Sequence, residues 1–509
     1  MAVELGRPLT VAEVVAVAAA GERVSIAPDV EARVRAARAI VDDAVRDGAT
    51  VYGVTTGFGG LSGVRIEPRE AQRLQRDVVL SHATAVGDPL PQAVVRAMLL
   101  LKARTFAFGV SGVRHELIAR LVAMLNERVH PVVPAQGSLG ASGDLALLAH
   151  LALPLLGEGE VERDGTRTPS AAALRSLGWR PLELSFKEGL SLVNGTEAML
   201  ALGVLALARA ELCARAADVT GAMTTEACLG TDRVFDADLI ALRAHPGARA
   251  VASNLRRLLK ASPIVASHRS SEHLVQDAYS LRCIPQVHGA HRGGLSYVRS
   301  ILEAELASAV DNPTVLVARR EVLSGGNFHG EALGLALDHL CLCATGLATI
   351  AERRIARLVD PTLSNGLPAF LTPDPGRRSG FMLAHYTAAS LTSESRGLCW
   401  PASSDSIPTS AGQEDHVSMG ATSARRATEV LGNCERVIAI EALAAAQGLD
   451  LRAPLQPAPA TAAARRAVRT VSPKLGEDRP LAADIAAVTR LLRKGAFLSA
   501  VEAVTGPLD

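Results

Sequence analysis

Apolar residues recur at helical spacing along most of the chain, with short interruptions. In TVAEVVAVAAA, Thr10 stands where an N-cap belongs and Gly21 ends the run. Charged and apolar residues keep the same period over 28–47, up to Gly48. Two β-like pieces, RVSIA (23–27) and VYGV (51–54), give this end a mixed character, and VERDGTRT (161–168) predicts a hairpin turning at Asp164-Gly165. The patterns over 196–218, 299–310, 331–358 and 423–447 are apolar on most faces, as helices inside a bundle or a subunit interface are. LRAPLQPAPA (451–460) predicts a proline-rich connector to a last helical segment. The expected molecule is mainly α, with a mixed N-terminal lobe over 1–110 and a helical remainder over 111–509.

Composition narrows the function classes. The 509 residues carry 53 basic and 52 acidic side chains, with no basic stripe, which argues against nucleic acid or an anionic membrane as partner. The N-terminus holds Glu4 and Glu13 and lacks the basic start of a signal peptide. Residues 332–351 are nearly long enough to span a bilayer, but Asp338 and His339 at the middle predict a core helix instead. Seven cysteines without CxxC spacing fit a reducing, cytoplasmic compartment, with Cys341 and Cys343 as packing residues. Of the 13 histidines, His288 and His291 could share a helical face, yet no HExxH or Cys/His cluster accompanies them, and no metal is expected.

The chemistry concentrates at GSLGASGDLALLAH (137–150). Ser142 or Asp144 could cap the helix that follows, with the glycines making the turn. The same residues also suit a backbone cyclisation. The Gly143 nitrogen would attack the Ala141 carbonyl carbon, and dehydration would turn the Ser142 side chain into an exocyclic methylidene, an electrophile no ordinary side chain supplies. Gly143 leaves its nitrogen unhindered and permits the bend, and a helix N-terminus beside the ring would favour developing negative charge.

This stretch resembles the signature of the aromatic amino acid ammonia-lyases, most closely their histidine-specific branch. Further similar motifs follow in order: YGVTTGFG (52–59), LSHATAVGDP (80–89), FKEGLSLVNGT (186–196), VQDAYSLRCIPQV (275–287), DNP (311–313), SGGNFHGE (324–331) and DSIPTSAGQEDHVSMG (405–420). The resemblance implies a fumarase/aspartase-like bundle of long helices, a homotetramer with active sites shared between subunits, and a 4-methylidene-imidazol-5-one formed from Ala141, Ser142 and Gly143. No metal or nucleotide cofactor is implied.

Site roles follow from the same resemblance, each beside a plainer reading. Tyr52 could be a packed ring; in the family its counterpart is the base that removes a β-proton. Arg282 could be a surface cation; the resemblance makes its planar guanidinium the clamp for the substrate carboxylate. Tyr279, three residues earlier on the same helical face, points into the same cavity, and Gln276 another three back is a further candidate. Asn194, with Glu197 three residues on, fits a helix cap, while its counterpart contacts the prosthetic ring and the carboxylate. Phe328 is placed near the ring. Glu414 could sit in the first turn after a Ser410-x-x-Gln413 capping box; the resemblance makes it a partner for an imidazole N–H and a carrier of protons at the amine, with His82 as a second polar contact.

The motifs depart from the branch pattern in places. Leu147 stands where proline is expected, Thr55 replaces an asparagine and makes YGVTTG resemble the tyrosine branch, Ala85 replaces a glycine, and Gly412 and Cys399-Trp400 lie near the substrate-reading segment. The expected activity is non-oxidative deamination of L-histidine to trans-urocanate, a carbon–nitrogen lyase reaction. Tyrosine or phenylalanine ammonia-lyase, a 2,3-aminomutase and a non-catalytic scaffold are the competing readings.

Overall fold

Thr10 opens the first helix with a full capping box, accepting from the Glu13 amide while the Glu13 carboxylate takes the Thr10 N–H at 2.8 Å. The helix Val11–Val15 widens to a π turn over Ala16–Ala20 and ends at Gly21, whose positive φ suits it to the C-terminal turn. Pro28–Arg46 is helical as its periodicity predicts, with Val30, Val34, Ala37 and Val41 on its buried side. In this computed structural model the described residues are 2–61, 63–140, 143–270 and 275–509.

They divide into two compact units. The first comprises Met1–Ala208, Arg299–Asp338 and Pro401–Arg425; the second comprises Arg209–Val298, His339–Trp400 and Arg426–Asp509. The boundary expected at residue 110 is not where the contacts divide the chain. The helix Gln92–Ala107 packs against His115–Asn126, so the chain continues past 110 within one core.

All strands among the described residues lie in the first unit. Val3–Leu5 pairs in parallel with Val24–Ile26, and Val86–Pro89 runs antiparallel to Pro134–Gln136. His130–Pro131, Glu160–Arg163 and Thr166–Pro169 form an antiparallel trio, and Thr314–Leu316 pairs with Glu321–Leu323. The hairpin at Asp164-Gly165 forms as predicted, with both residues at positive φ. VYGV does not make the expected strand. Gly53 turns the chain at φ 64°, and the amides of Val54 and Thr55 both return to the Val51 carbonyl.

Gln92–Ala107 is the core helix of this unit, buried at every position from Val94 to Ala107. A helix enclosed on all sides must satisfy its polar side chains internally. Arg96 therefore donates to the Val17 and Leu125 carbonyls, and Arg104 to those of Leu306 and Ser308. Lys102, fully buried, pairs with Glu197 at 3.0 Å.

The long helices run further than their patterns suggest: Glu197–Ala227, Ile284–Leu306, Glu331–Val359 and Gly420–Leu451. The second begins fifteen residues before its expected start, and Gly289 within its early turns stands where a neighbouring backbone presses close; a Cβ there would meet the Ala248 nitrogen at 2.3 Å. In the second unit Arg354 and Glu441 form a fully buried pair, the carboxylate also accepting from Thr220 and Thr224. His288 is enclosed there between Asp218 and Arg354, so both ring nitrogens are engaged. The proline-rich connector separates Gly420–Leu451 from Pro459–Arg469 as expected.

Among the described residues, Glu331–Val359 is the one helix long and apolar enough to cross a membrane. Two thirds of its apolar window is buried, and Asp338 accepts the Ser403 amide, which is the core-helix outcome predicted from that aspartate. Cys341 and Cys343 are buried packing residues on it.

Candidate active site

Glycine geometry organises the site from below. Gly143 adopts φ 71° and bridges to Gly195, and a Cβ here would meet the Gly195 carbonyl oxygen at 1.7 Å. No other residue fits. Ahead of it, the Gly140 carbonyl accepts from the Ser418 hydroxyl and the Gly330 amide. Ala141 and Ser142, two of the three residues expected to cyclise, lie outside the described residues, but both flanks of the tripeptide are clamped by backbone contacts.

Asp144 was expected as a cap for its own helix. It does stand at the N-cap of Leu145–Ala152, but its side chain makes no bond there. One carboxylate oxygen instead accepts the amides of Ala198 and Met199, each at 2.9 Å, and the other accepts the Ser138 hydroxyl. Asp144 thus caps the long helix Glu197–Ala227, the role that sequence spacing gave to Asn194. Burial pushes its carboxyl up to about 7, against those donors.

Asn194 is freed for other work. Its side-chain amide donates to the Asn312 carbonyl at 3.0 Å, and its own carbonyl takes the Lys102 ammonium at 2.7 Å. Asn312 is held in turn, its side-chain oxygen accepting the Gly325 amide and its backbone N–H donating to Asp311. Buried Lys187 and Ser191 both bond Asp311, so the asparagine pair rests on a buried polar network.

Above this floor opens a cavity of about 520 Å³, lined by Tyr52, Phe58, His82, Leu145, Leu190, Asn194, Asn312, Phe328, Ser410, Ala411 and Glu414, with the Gly59–Leu61 turn at its rim. The Tyr52 hydroxyl oxygen accepts the Gly59 amide at 3.1 Å, which fixes the phenol oxygen beside the cavity. Ser410 accepts the Gly60 amide at 3.1 Å, joining two loops over the opening. His82 lies edge-on to Phe58; burial lowers the imidazole below its ordinary value, with Glu414 opposing that shift. Glu414 does not occupy a helical first turn. Ser410 and Ala411 take positive φ, so no capping box forms, and Glu414 pairs backbone to backbone with Thr409, whose hydroxyl donates to its carboxylate at 3.2 Å.

Five predicted side chains therefore converge: Tyr52, His82, Asn194, Phe328 and Glu414. Gln276, Tyr279 and Arg282 do not line this cavity and belong to the second unit. Tyr279 and Arg282 share the short helix Tyr279–Arg282, the guanidinium lying 4.5 Å from the Tyr279 ring centre, while Gln276 precedes that helix and shares no helical face with them; Tyr279 is 70% exposed. A more open depression of about 830 Å³ in the second unit, lined by Asp232, Arg233, Arg256 and Arg269 among others, contains none of the predicted residues.

Phe58 and Asn312 escaped sequence reasoning as individual residues, and Ser410 was read there only as part of a capping box. Asn312 sits inside the quoted DNP motif, and Phe58 inside YGVTTGFG, so the motifs carried the signal without pointing to the side chain. Thr55, the departure that resembled a tyrosine branch, is buried outside the cavity lining. Its hydroxyl donates to the Ala49 carbonyl at 2.6 Å and accepts the Val51 amide at 2.8 Å.

The family model for aromatic amino acid lyases matches residues 9–470. Histidine ammonia-lyase of Symbiobacterium thermophilum is 52% identical over 508 residues, covering all of both chains. Among solved structures, histidine ammonia-lyase from Trypanosoma cruzi superposes with a TM-score of 0.92 at 44% identity, over 99% of this chain and 96% of that one. Tyrosine aminomutase from Streptomyces globisporus gives 0.96 at 38% identity, over the whole of both. With the match spanning most of the chain and relatives this similar along their full length, the protein belongs to the aromatic amino acid lyase family.

Proposed function

We propose that this carbon–nitrogen lyase removes ammonia from L-histidine without oxidation, giving trans-urocanate. The observation that carries the reading is the meeting of Glu414 and His82 in the same cavity as Tyr52 and Asn194. A carboxylate at the cavity wall can accept the N–H that an imidazole offers and a phenyl ring lacks. Relatives about half identical over nearly their whole length are named histidine ammonia-lyases, which supports the same substrate. The tyrosine aminomutase likeness speaks for a second reading, a phenolic substrate with ammonia returned to the β-carbon. Thr55, the residue that favoured it, lies away from the cavity lining.

The residues flanking positions 141–142 fit a prosthetic ring made there: Gly143 has room for no side chain, and the carbonyl before the tripeptide is held by two donors. A 4-methylidene-imidazol-5-one at Ala141-Ser142-Gly143 would supply the electrophile that turns the substrate amine into a leaving group. Tyr52, its oxygen anchored by Gly59, accepts the β-proton. Asn194 and Asn312, fixed by Lys102 and Asp311, present amides to the carboxylate end. Glu414 and His82 orient the imidazole. General acid–base help contributes ~10²–10⁴-fold, too little alone against so weakly acidic a C–H bond, so the electrophile and the base act together.

We further propose that the active form is a homotetramer in which Gln276, Tyr279 and Arg282 of one subunit complete the cavity of another. Exposure of Tyr279, and an Arg282 Nε without a hydrogen-bond partner among the described residues, support this. Seven free cysteines support a cytoplasmic setting.

The test is turnover of histidine, tyrosine and phenylalanine, each supplied alone, with products separated by chromatography. Urocanate from histidine is the expected result. A β-amino acid from tyrosine would replace this reading with the aminomutase, and no product from any of the three would leave a scaffold.

A further inference from the structure

Just outside the cavity, three side chains from two segments come together. His329 follows the cavity residue Phe328, Glu331 opens the helix Glu331–Val359, and His416 lies two residues beyond the cavity residue Glu414. One ligand-capable atom from each lies within 4.8 Å of the others. The two imidazoles stack in parallel, interplanar angle 2° and centroids 5.8 Å apart. The His329 Nε2 sits 3.2 Å from the His416 carbonyl oxygen and donates to it, which leaves Nδ1 with its lone pair. Glu331 brings a carboxylate oxygen that is itself shielded from solvent and has no hydrogen-bond partner among the described residues, the His416 ring nitrogen standing 3.8 Å away. A desolvated, unbonded carboxylate oxygen among imidazole nitrogens is an arrangement that a cation resolves.

We propose that His329, Glu331 and His416 bind a borderline divalent cation of the Zn²⁺ type. Two imidazoles and one carboxylate match the nitrogen and oxygen donors such an ion takes, and exposed His416 leaves a side open for water as fourth ligand. A histidine ligand whose other ring nitrogen donates to a backbone carbonyl is held in the right tautomer, and His329 is held in that way. Hard ions such as Mg²⁺ or Ca²⁺ prefer all-oxygen sites and fit poorly. The ion would tie the segment carrying Phe328 to the segment carrying Glu414, from outside the cavity. It takes no part in the elimination and does not depend on which amino acid the cavity accepts.

The full-length protein, stripped with chelator and kept in histidine-free buffer, is titrated with Co²⁺ and with Zn²⁺. Expected are visible bands of a four-coordinate Co²⁺ site at about one ion per chain, displaced by Zn²⁺. His416→Ala alters an exposed ring, so the fold survives, and it should weaken the ion's binding by roughly tenfold or more; Glu331→Gln should do the same. Circular dichroism confirms that each variant is folded. The proposal is overturned if Co²⁺ gives no four-coordinate bands, or if Zn²⁺ binds His416→Ala and Glu331→Gln as tightly as the parent.

Discussion

Glu414 and Tyr52 are the residues whose replacement separates recognition from chemistry. Glu414→Gln keeps the shape and an acceptor for Thr409 but removes the charge that an imidazole N–H would meet. Histidine turnover should fall by roughly 10² in kcat/KM, with the thermal unfolding midpoint nearly unchanged. Wild-type kinetics in this variant would take Glu414 out of the site. Tyr52→Phe removes the proposed proton acceptor, the oxygen bonded by Gly59. Its kcat should drop by ~10²–10⁴-fold, with KM moving far less. A KM effect alone would mean that the phenol binds substrate and takes no proton.

At the scale of elements, capping and buried ionisation carry the predictions. Asp144 serves two amides of a neighbouring helix, so Asp144→Ala leaves them unsatisfied in a closed interior and should cost about 1–3 kcal/mol. Asp144→Asn, which keeps an acceptor, should cost less; a thermal-shift series comparing the two checks this. His130 sets a pH limit on the first unit. Burial and the neighbouring Arg96 and Arg128 push its imidazole down to about 4, while an unfolded histidine titrates near 6.5. The native state therefore binds fewer protons between those values, and the histidine's contribution, whole above pH 6.5, drains away as pH falls towards 4. His130→Gln should flatten the stability profile over that interval, and an unchanged slope would assign the loss to other groups. Legibility differs in the same terms. Helices and the Asp164-Gly165 hairpin were readable because periodicity and turn chemistry are local. Asp144 was not, because its acceptors are used more than fifty residues away, and Asn194 lost its expected capping role to it. VYGV misled because β-favouring residues surround a glycine that the turn needs at positive φ.

For the whole molecule, the decisive question is whether a second copy of the chain supplies Arg282 to the cavity. Five of the predicted side chains meet in one unit while Gln276, Tyr279 and Arg282 do not join their cavity. Co-expression of Tyr52→Phe with Arg282→Ala, each nearly inactive alone, should yield mixed assemblies with restored activity. Absence of rescue would place all groups within a single chain. Intact mass provides an independent check on ring formation: the purified protein should be lighter than its encoded chain by two waters, and Ser142→Ala should not show that deficit. The motifs made these residues legible one by one, since chemistry is written locally. Which unit holds them was not, because that depends on contacts between positions hundreds of residues apart.

Thr55 carries a lesson for redesign. A side chain that looks like a marker of substrate preference is a tether under the catalytic loop, bonded to Ala49 and Val51. Retargeting this scaffold to a phenolic amino acid should therefore leave position 55 untouched and begin with positions 82 and 414.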